Sequence, residues 1–362
     1  MKIRKAILTG GGRGTRLHPI TTTLNKHLIP LANKPMIFHA IEKVVAAGVN
    51  KIYINTNPGD TELQKYIGDG GHWGVDIYYF EQRGGALGIA HAVNEAKEFI
   101  GNDPFIFYLS DNILFGDISP MVKEFEENKH DLMLALSRVE DPQRFGVAVF
   151  DDKGILVDVV EKPDVPPSDL AVTGIYLYGG GGIFFDTFDK IQKSERGEYE
   201  ISDIHSLFLK EGKNVGYKEI TGWWKDTGKP SDLLLANKLL LQHFKEFDTQ
   251  LSDQHKIATI VGDVKIGLSS RIGDNVTLIG PVIIGENCSL ENCTIGPDVT
   301  IGAGSDIKGI TINHSIILEH AIIHSDISIT ESLIGKKVTI GKATNDQKAH
   351  RMIIGDKTVI EL

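Results

Sequence analysis

The chain has 362 residues, 41% hydrophobic and 24% charged, with a formal net charge of -10. That length allows two domains, and the acidic balance excludes a general nucleic-acid binder, which needs a basic face, while leaving room for a small anionic substrate held by a few local cations. Cys288 and Cys293 are too few for a disulfide framework or a metal cluster and read as small buried hydrophobes, no apolar run reaches the length of a membrane span, and the basic start Lys2-Ile3-Arg4-Lys5 runs into glycines too soon for a signal peptide, so a cytoplasmic protein is expected.

In chain order, Ala6 to Thr9 reads as a short buried strand that runs into Gly10-Gly11-Gly12-Arg13-Gly14-Thr15-Arg16, with Lys26 shortly after. Glycines without Cβ atoms let backbone N–H groups approach an anion, and Arg16 and Lys26 add positive charge beside them. Neither G-x-x-x-x-G-K-[ST] nor G-x-G-x-x-G can be laid on this string, so it is neither a Walker A loop nor a dinucleotide fingerprint. Met36 to Ala47 then places Ile37, Ile41, Val44 and Val45 on one helical face. Apolar runs at 51–55, 105–109 and 132–136 read as strands, and helical patterns cover 62–67 and 89–100. Strands alternating with helices imply an α/β sheet that is mostly parallel, with ligands beyond the carboxyl ends of its strands.

Carboxylates ending such strands are candidate ligands for a hard cation: Asp111 after Phe107-Tyr108-Leu109-Ser110, and Asp226 in Trp223-Trp224-Lys225-Asp226-Thr227-Gly228. In Glu161-Lys162-Pro163 the proline makes the residue before it extended, so Lys162 is expected to project from an edge or turn rather than from a helix. Arg196-Gly197-Glu198 precedes a further helical pattern, and another spans Leu233 to Phe247. After a polar connector the texture changes. Aliphatic residues recur every sixth position at Ile266, Ile272, Leu278, Ile284 and Leu290, after a one-residue slip at Ile295, Ile301 and Ile307, again at Ile317, Ile323 and Ile329, and then at Ile334 and Ile340. A period of six fits neither helix nor hairpin; it is the hexapeptide repeat of a parallel β-helix, with about five coils of about 18 residues. Four N-x-[ST] strings, beginning at Asn275, Asn287, Asn292 and Asn313, read as polar turns.

Taken together, the strings of residues 1–245 resemble the sugar-phosphate nucleotidyltransferases, most closely the glucose-1-phosphate thymidylyltransferases of long form. The glycine turn, Lys26 before Leu28 and Pro30, Gln82, Gly88-Ile89-Ala90-His91, Asp111-Asn112, Phe145-Gly146-Val147, Glu161-Lys162-Pro163, Val172-Thr173-Gly174 and Asp226-Thr227-Gly228 carry the likeness in order. The sequence departs from the pattern at Thr9-Gly10, at Arg83 to Leu87 and at Gly179 to Gly182. The resemblance implies a Rossmann-like three-layer α/β domain over 1–245, a connector over 246–259 and a left-handed parallel β-helix over 260–362.

It also implies roles. Gly11, Gly12, Gly14 and Thr15 would line the nucleotide, with Gln82 and Gly88 at the pyrimidine edge. Arg16 and Lys26 would hold the departing phosphates. Asp111 and Asp226 would hold Mg²⁺, Asp111 also facing the nucleotide. Lys162 would grip the sugar phosphate, and Gly146, Glu161, Val172 and Arg196 would contact it or its hydroxyls. The expected reaction joins glucose 1-phosphate to dTTP, or UTP as the alternative, with release of pyrophosphate, and the β-helix is expected to serve homo-oligomerisation or bracing. From other classes, a non-catalytic assembly module and a β-helix acyltransferase with His314, His320, His324 or His350 as base remain as alternatives. No nucleic acid or membrane is expected as a partner.

Overall fold

The computed structural model describes residues 2–12, 14–85, 87–244 and 258–341. Most of the connector, His350 and the Gln347–Glu361 tail, expected to add a last strand, lie outside them.

In chain order, β1 (Lys5–Thr9) leads through three single-turn 3-10 segments to a small hairpin of β2 (Pro30–Leu31) and β3 (Lys34–Pro35). There follow α1 (Met36–Ala46), β4 (Lys51–Thr56), α2 (Glu62–Ile67), β5 (Asp76–Glu81), α3 (Ile89–Glu95), α4 (Lys97–Ile100), β6 (Phe105–Tyr108), β7 (Asn112–Leu114), α5 (Ser119–Asn128) and β8 (Leu132–Arg138). Next come β9 (Gly146–Phe150), β10 (Leu156–Glu161), β11 (Leu170–Tyr178), α6 (Gly181–Phe188), α7 (Ile201–Lys210), β12 (Val215–Glu219), β13 (Trp224–Asp226) and α8 (Pro230–Gln242). Fifteen short strands, from Thr259–Val261 to Thr339–Gly341, complete the described chain in three five-stranded sheets. By internal contacts the described residues divide into two compact units: 2–12 with 37–226, and 14–36 with 227–244 and 258–341.

The first unit is a nine-stranded sheet of order β10-β9-β11-β6-β1-β4-β5, with β8 on β11 and β12 on β8. Its core, β6-β1-β4-β5, is parallel. Beside this parallel core, which the sequence predicts, β11 runs against β6, β8 and β9 and β10 against β9, while β12 runs parallel to β8. All four residues of β6 are buried, the unbroken apolar run of a strand covered on both faces. One face carries Ile7, Tyr53, Phe105, Phe107, Tyr176 and Tyr178 against Val93 of α3, Phe184 and Phe185 of α6 and Phe208 of α7. Each such side chain contributes about 2–3 kcal/mol by leaving water. On α1, Ile37, Ile41 and Val44 are fully buried, as their spacing predicts. The helical pattern over 89–100 is split at Ala96 into α3 and α4. The Gly179–Gly182 run packs at the amino-terminal end of β6, where Tyr178 pairs with Phe105 and a Cβ on Gly181 would lie 2.0 Å from the Gly101 carbonyl oxygen. That is the opposite end of β6 from Asp111, so this departure from the family pattern serves packing.

The second unit contains the β-helix. Register pairing stacks Leu278 on Ile295, Ile295 on Ile312 and Ile312 on Ile329 along one wall, and Ile284, Ile301, Ile317 and Ile334 along the next. The aliphatics of the hexapeptide series form one continuous apolar core, with Ile266, Ile334 and Ile340 at its partly exposed ends. Ile312 belongs to the core although the period skips it, because corners there are a residue shorter. Asn275, Asn287 and Asn292 stand at φ 54°, 55° and 50°, the left-handed turn conformation that Asn tolerates, so these strings are corners as expected. Cys288 and Cys293 are buried thiols, and desolvation pushes Cys293 up to about 12.

Candidate active site

The glycine turn is built on the ends of parallel strands. Gly10 N–H donates to Asn55 Oδ1 at 2.9 Å, and Gly12 N–H donates to Asn57 Oδ1 at 2.9 Å. A Cβ on Gly10 would lie 2.5 Å from Leu63 Cδ1 and 2.7 Å from the Asn55 carbonyl, so only glycine fits there, and Gly12 takes φ 115°. Asn55 Nδ2 in turn donates to Gln82 Oε1 at 3.4 Å, and Gln82 Nε2 donates to the Gly88 carbonyl at 3.3 Å. One hydrogen-bonded line therefore joins the glycine turn, Asn55, Gln82 and Gly88 across the carboxyl ends of β1, β4 and β5. Gly88 has φ 94°, and a Cβ there would lie 2.5 Å from the Tyr199 carbonyl oxygen.

Asp111 follows β6, and Asp226 ends β13. This second strand is not parallel, as its sequence position suggested; it runs antiparallel to β7, with Asp226 opposite Asn112. The pairing brings the two aspartates to one end of a two-stranded ribbon. Asn112 Nδ2 donates to Asp111 Oδ1 at 3.0 Å, and Trp224 Nε1 donates to Asn112 Oδ1 at 2.9 Å and to the Thr173 carbonyl at 3.1 Å. The carboxylate of Asp111 is thus oriented by a buried amide that is itself fixed. Beside it, the Ser110 hydroxyl is buried without a hydrogen-bond partner among the described residues.

A third group gathers on Glu161. Gly146 is opposite it in the β9–β10 ladder, and a Cβ on Gly146 would lie 3.3 Å from Glu161 Oε2 and 3.8 Å from Val172 Cγ2. Lys162 Nζ is 3.3 Å and Arg196 Nη2 3.7 Å from Glu161 Oε1. Arg196 is also paired with Glu200 at 2.8 Å, a contact that raises its pKa, and Glu200 accepts from Ser194 Oγ at 2.6 Å. Lys162 does not take the extended conformation expected before proline. It has φ 44°, a strained value for a residue with a side chain, and its N–H closes onto the Phe145 carbonyl at 2.9 Å. Trp224 meets the Phe145 ring edge-on at 5.2 Å, so one indole touches the supports of both Asp111 and Lys162.

Gly14, Thr15, Arg16 and Lys26 belong to the second unit. Gly14 at φ 54° opens a 3-10 turn holding Thr15 and Arg16, and Thr21 Oγ1 donates to its carbonyl at 2.7 Å. Lys26 lies in a 3-10 turn capped by Asn25, whose Oδ1 accepts the His27 N–H at 2.9 Å. Sequence reasoning missed Asn55, Asn57, Asn112 and Trp224. The signal was available for Asn55 and Asn57, polar residues closing an apolar run as Asp111 does, and Asn112 stood in the Asp111-Asn112 string without a role.

Known proteins settle the family. The nucleotidyl transferase family model matches residues 5–243. The chain belongs to that family. A second model, the GMPPB C-terminal domain, matches residues 278–361. The chain is 38% identical over 363 residues to the low-salt glycan biosynthesis nucleotidyltransferase Agl11 of Haloferax volcanii, covering 99% of this chain and 100% of that one. It is 35% identical to a glucose-1-phosphate thymidylyltransferase of Streptomyces antibioticus, covering 99% of both chains. A Bacillus anthracis structure assigned as a glucose-1-phosphate thymidylyltransferase and bound to sucrose aligns at a TM-score of 0.61 and 40% identity, over 65% of this chain and 94% of that one. A UDP-glucose pyrophosphorylase bound to UDP-glucose shares the fold at a TM-score of 0.60 and 24% identity, over 67% and 99%. This nucleotidyltransferase is therefore an enzyme of the sugar-1-phosphate type, acting on a nucleoside triphosphate and a sugar 1-phosphate with release of pyrophosphate.

Proposed function

We propose that this nucleotidyltransferase makes dTDP-glucose from dTTP and glucose 1-phosphate. The observation that carries the reading is the Glu161 group: two cations, Lys162 and Arg196, stand beside one carboxylate, with Lys162 held in a strained backbone conformation. Cations beside a carboxylate suit a ligand with a phosphate at one end and hydroxyls at the other. The relatives named glucose-1-phosphate thymidylyltransferase support dTTP and glucose 1-phosphate as the pair.

The residues read as follows. Gly11 and Gly12 offer backbone to the nucleotide, and Gln82 with Gly88 reads the pyrimidine edge. Gly14 and Thr15 line the nucleotide as well. Arg16 and Lys26 hold the β- and γ-phosphates that leave. Glu161, Gly146, Val172 and Arg196 seat the sugar, and Lys162 holds its phosphate. The sugar phosphate is already an anionic nucleophile, so no side chain need remove a proton. Its oxygen forms a bond to the α-phosphorus as the bond to the pyrophosphate oxygen breaks, and the electron pair leaves with pyrophosphate. The chain's task is alignment and relief of repulsion between two anions.

Asp111 and Asp226 fit Mg²⁺. No cluster of three or more His, Cys, Asp or Glu side chains suited to a metal occurs among the described residues, and two carboxylates match a cation that keeps waters and takes phosphate oxygens for the rest of its shell. When bound, Mg²⁺ supplies neutralisation of the triphosphate charge. The division into 1–245, 246–259 and 260–362, a cytoplasmic location and a homo-oligomer complete the reading.

The test is pyrophosphate release over a grid of nucleoside triphosphates and sugar 1-phosphates in Mg²⁺. Turnover should be fastest with dTTP and glucose 1-phosphate. Preference for UTP would correct the base assignment, and no turnover with any pair would sink the enzymatic reading of this site.

A further inference from the structure

The segment carrying Arg16 and Lys26 is built onto the β-helix. It ends in the β2–β3 hairpin, whose tip residues Ala32 and Asn33 stand at φ 50° and 57°. Two left-handed residues in succession make the tight two-residue turn of a hairpin, a conformation that Ala does not favour by itself. Two hydrogen bonds hold it. Ala32 N–H donates to Asn237 Oδ1 at 2.8 Å, and Asn33 Nδ2 donates to the Ile301 carbonyl at 2.8 Å. Asn237 lies on α8 with 1% exposure, and the β-helix residue Thr300 places its hydroxyl 3.5 Å from the same Asn237 oxygen. Ala32 also packs in a small apolar cluster with Leu241 of α8 and Ile283 of the β-helix. The tip is thus gripped by α8 and by the wall of the β-helix together.

A second grip lies between the two cations in sequence. A Cβ on Gly335, in the last coil, would sit 3.3 Å from Ile20 Cδ1. Internal bonds stiffen what lies between: Thr21 to Gly14, and Asn25 to His27. His27 and Leu28, directly after Lys26, are buried. His314 Nδ1 is 2.9 Å from Asp298 and His324 Nε2 is 2.8 Å from Asp306, each carboxylate lying on the neighbouring coil, and His320 turns a corner at φ 58°.

We propose that the β-helix is a scaffold that positions the pyrophosphate-holding cations, and that Asn237 and Asn33 are the positioning residues through which it acts. This rests on the reading that Arg16 and Lys26 hold the departing pyrophosphate. Neither asparagine touches substrate; each fixes the backbone that presents the cations.

The test is binding of inorganic pyrophosphate, with Mg²⁺, to the full chain by calorimetry, beside the thermal midpoint and the KM for glucose 1-phosphate. Asn237→Leu removes the acceptor and should weaken pyrophosphate binding about tenfold, as small misplacements of binding groups do. Asn237→Asp keeps an acceptor and should restore most of it. Asn33→Ala, a milder change, should weaken binding by a smaller factor while the chain stays folded. The KM for glucose 1-phosphate should hold in all three. Wild-type pyrophosphate affinity in both Asn237→Leu and Asn33→Ala would overturn the proposal. So would equal weakening of both ligands, or Asn237→Asp behaving as Asn237→Leu. Lys26→Ala is the control: if it binds pyrophosphate as tightly as wild type, the reading of Lys26 itself fails, and the proposal with it.

Discussion

The two regions of the molecule solve the same burial problem in opposite ways. The first unit closes a mixed sheet with helices, and its candidate residues collect where strands of different origin end: Asn55 near the end of β4, Asp111 after β6, Asp226 on β13, Glu161 on β10. The β-helix repeats one contact, aliphatic over aliphatic, from coil to coil, and polar side chains pair between neighbouring coils, as His314 does with Asp298 and His324 with Asp306. Strand ends in the first unit are irregular because each must present a different group. Coils in the second are regular because each need only stack on the next. The contrast separates residues whose loss should abolish turnover without unfolding from residues whose loss should unfold without a chemical defect.

The largest expected effect breaks the chemistry alone. Asp111→Asn or Asp226→Asn should lower kcat by about a thousandfold or more, since on the proposed reading each removes one of the two carboxylates that would hold Mg²⁺ against the triphosphate. The thermal midpoint should stay near wild type. A large drop in the midpoint, with kcat preserved in the folded fraction, would move these aspartates into the structural class. The mirror experiment is Ile295→Asp. Ile295 is fully buried between Leu278 and Ile312, so a carboxylate there should destabilise the β-helix by about 4 kcal/mol, read by denaturant unfolding. A change under about 1 kcal/mol would mean that the stack tolerates polar groups as the strand ends do.

Next in size, Lys162→Ala should raise the KM for glucose 1-phosphate about ten- to hundredfold and leave the KM for dTTP unchanged, if the proposed charge-assisted contact of Lys162 to the sugar phosphate is what it removes. Equal changes in both would place Lys162 elsewhere in the site. Smallest within any one pH unit is the effect expected in the core beneath the site. His205 is fully buried, with Nε2 2.9 Å from the Tyr178 hydroxyl, and desolvation pushes its pKa from 6.5 down to about 3. The unfolded chain therefore binds a proton that the native state refuses between those values. The resulting stability is complete above pH 6.5 and is lost as the pH falls toward 3, with a slope of about 1 kcal/mol per pH unit. Urea midpoints at several pH values should show this component in wild type and lack it in His205→Gln, which keeps an acceptor for Tyr178. An identical pH slope in both would assign the titration to other groups.

Legibility in the sequence follows the same division. The β-helix could be read from its period of six, because an aliphatic recurs on strand after strand; Ile260, ahead of the series, and Ile312, where short corners break the period, escaped it. In the first unit the parallel strands and α1 were legible from apolar runs and helical spacing. The antiparallel side was not, since nothing local to Leu132–Leu136 or Leu170–Tyr178 states which way its neighbour runs. The candidate residues were legible as strand-end charges and glycines. Their supports were not: Trp224 and Asn112 meet Asp111 only through a pairing of distant segments, and the left-handed turn at Lys162 runs against the rule for residues before proline because the Phe145 carbonyl holds it.

The most direct measurement on direct displacement is the stereochemical course at the α-phosphorus. With dTTP carrying a chiral α-thiophosphate and glucose 1-phosphate as acceptor, a single in-line attack by the sugar phosphate gives a product inverted at phosphorus, and inversion is expected here. Retention would require two displacements through a covalent nucleotidyl-enzyme, and would contradict a site whose residues align two anions and do no more.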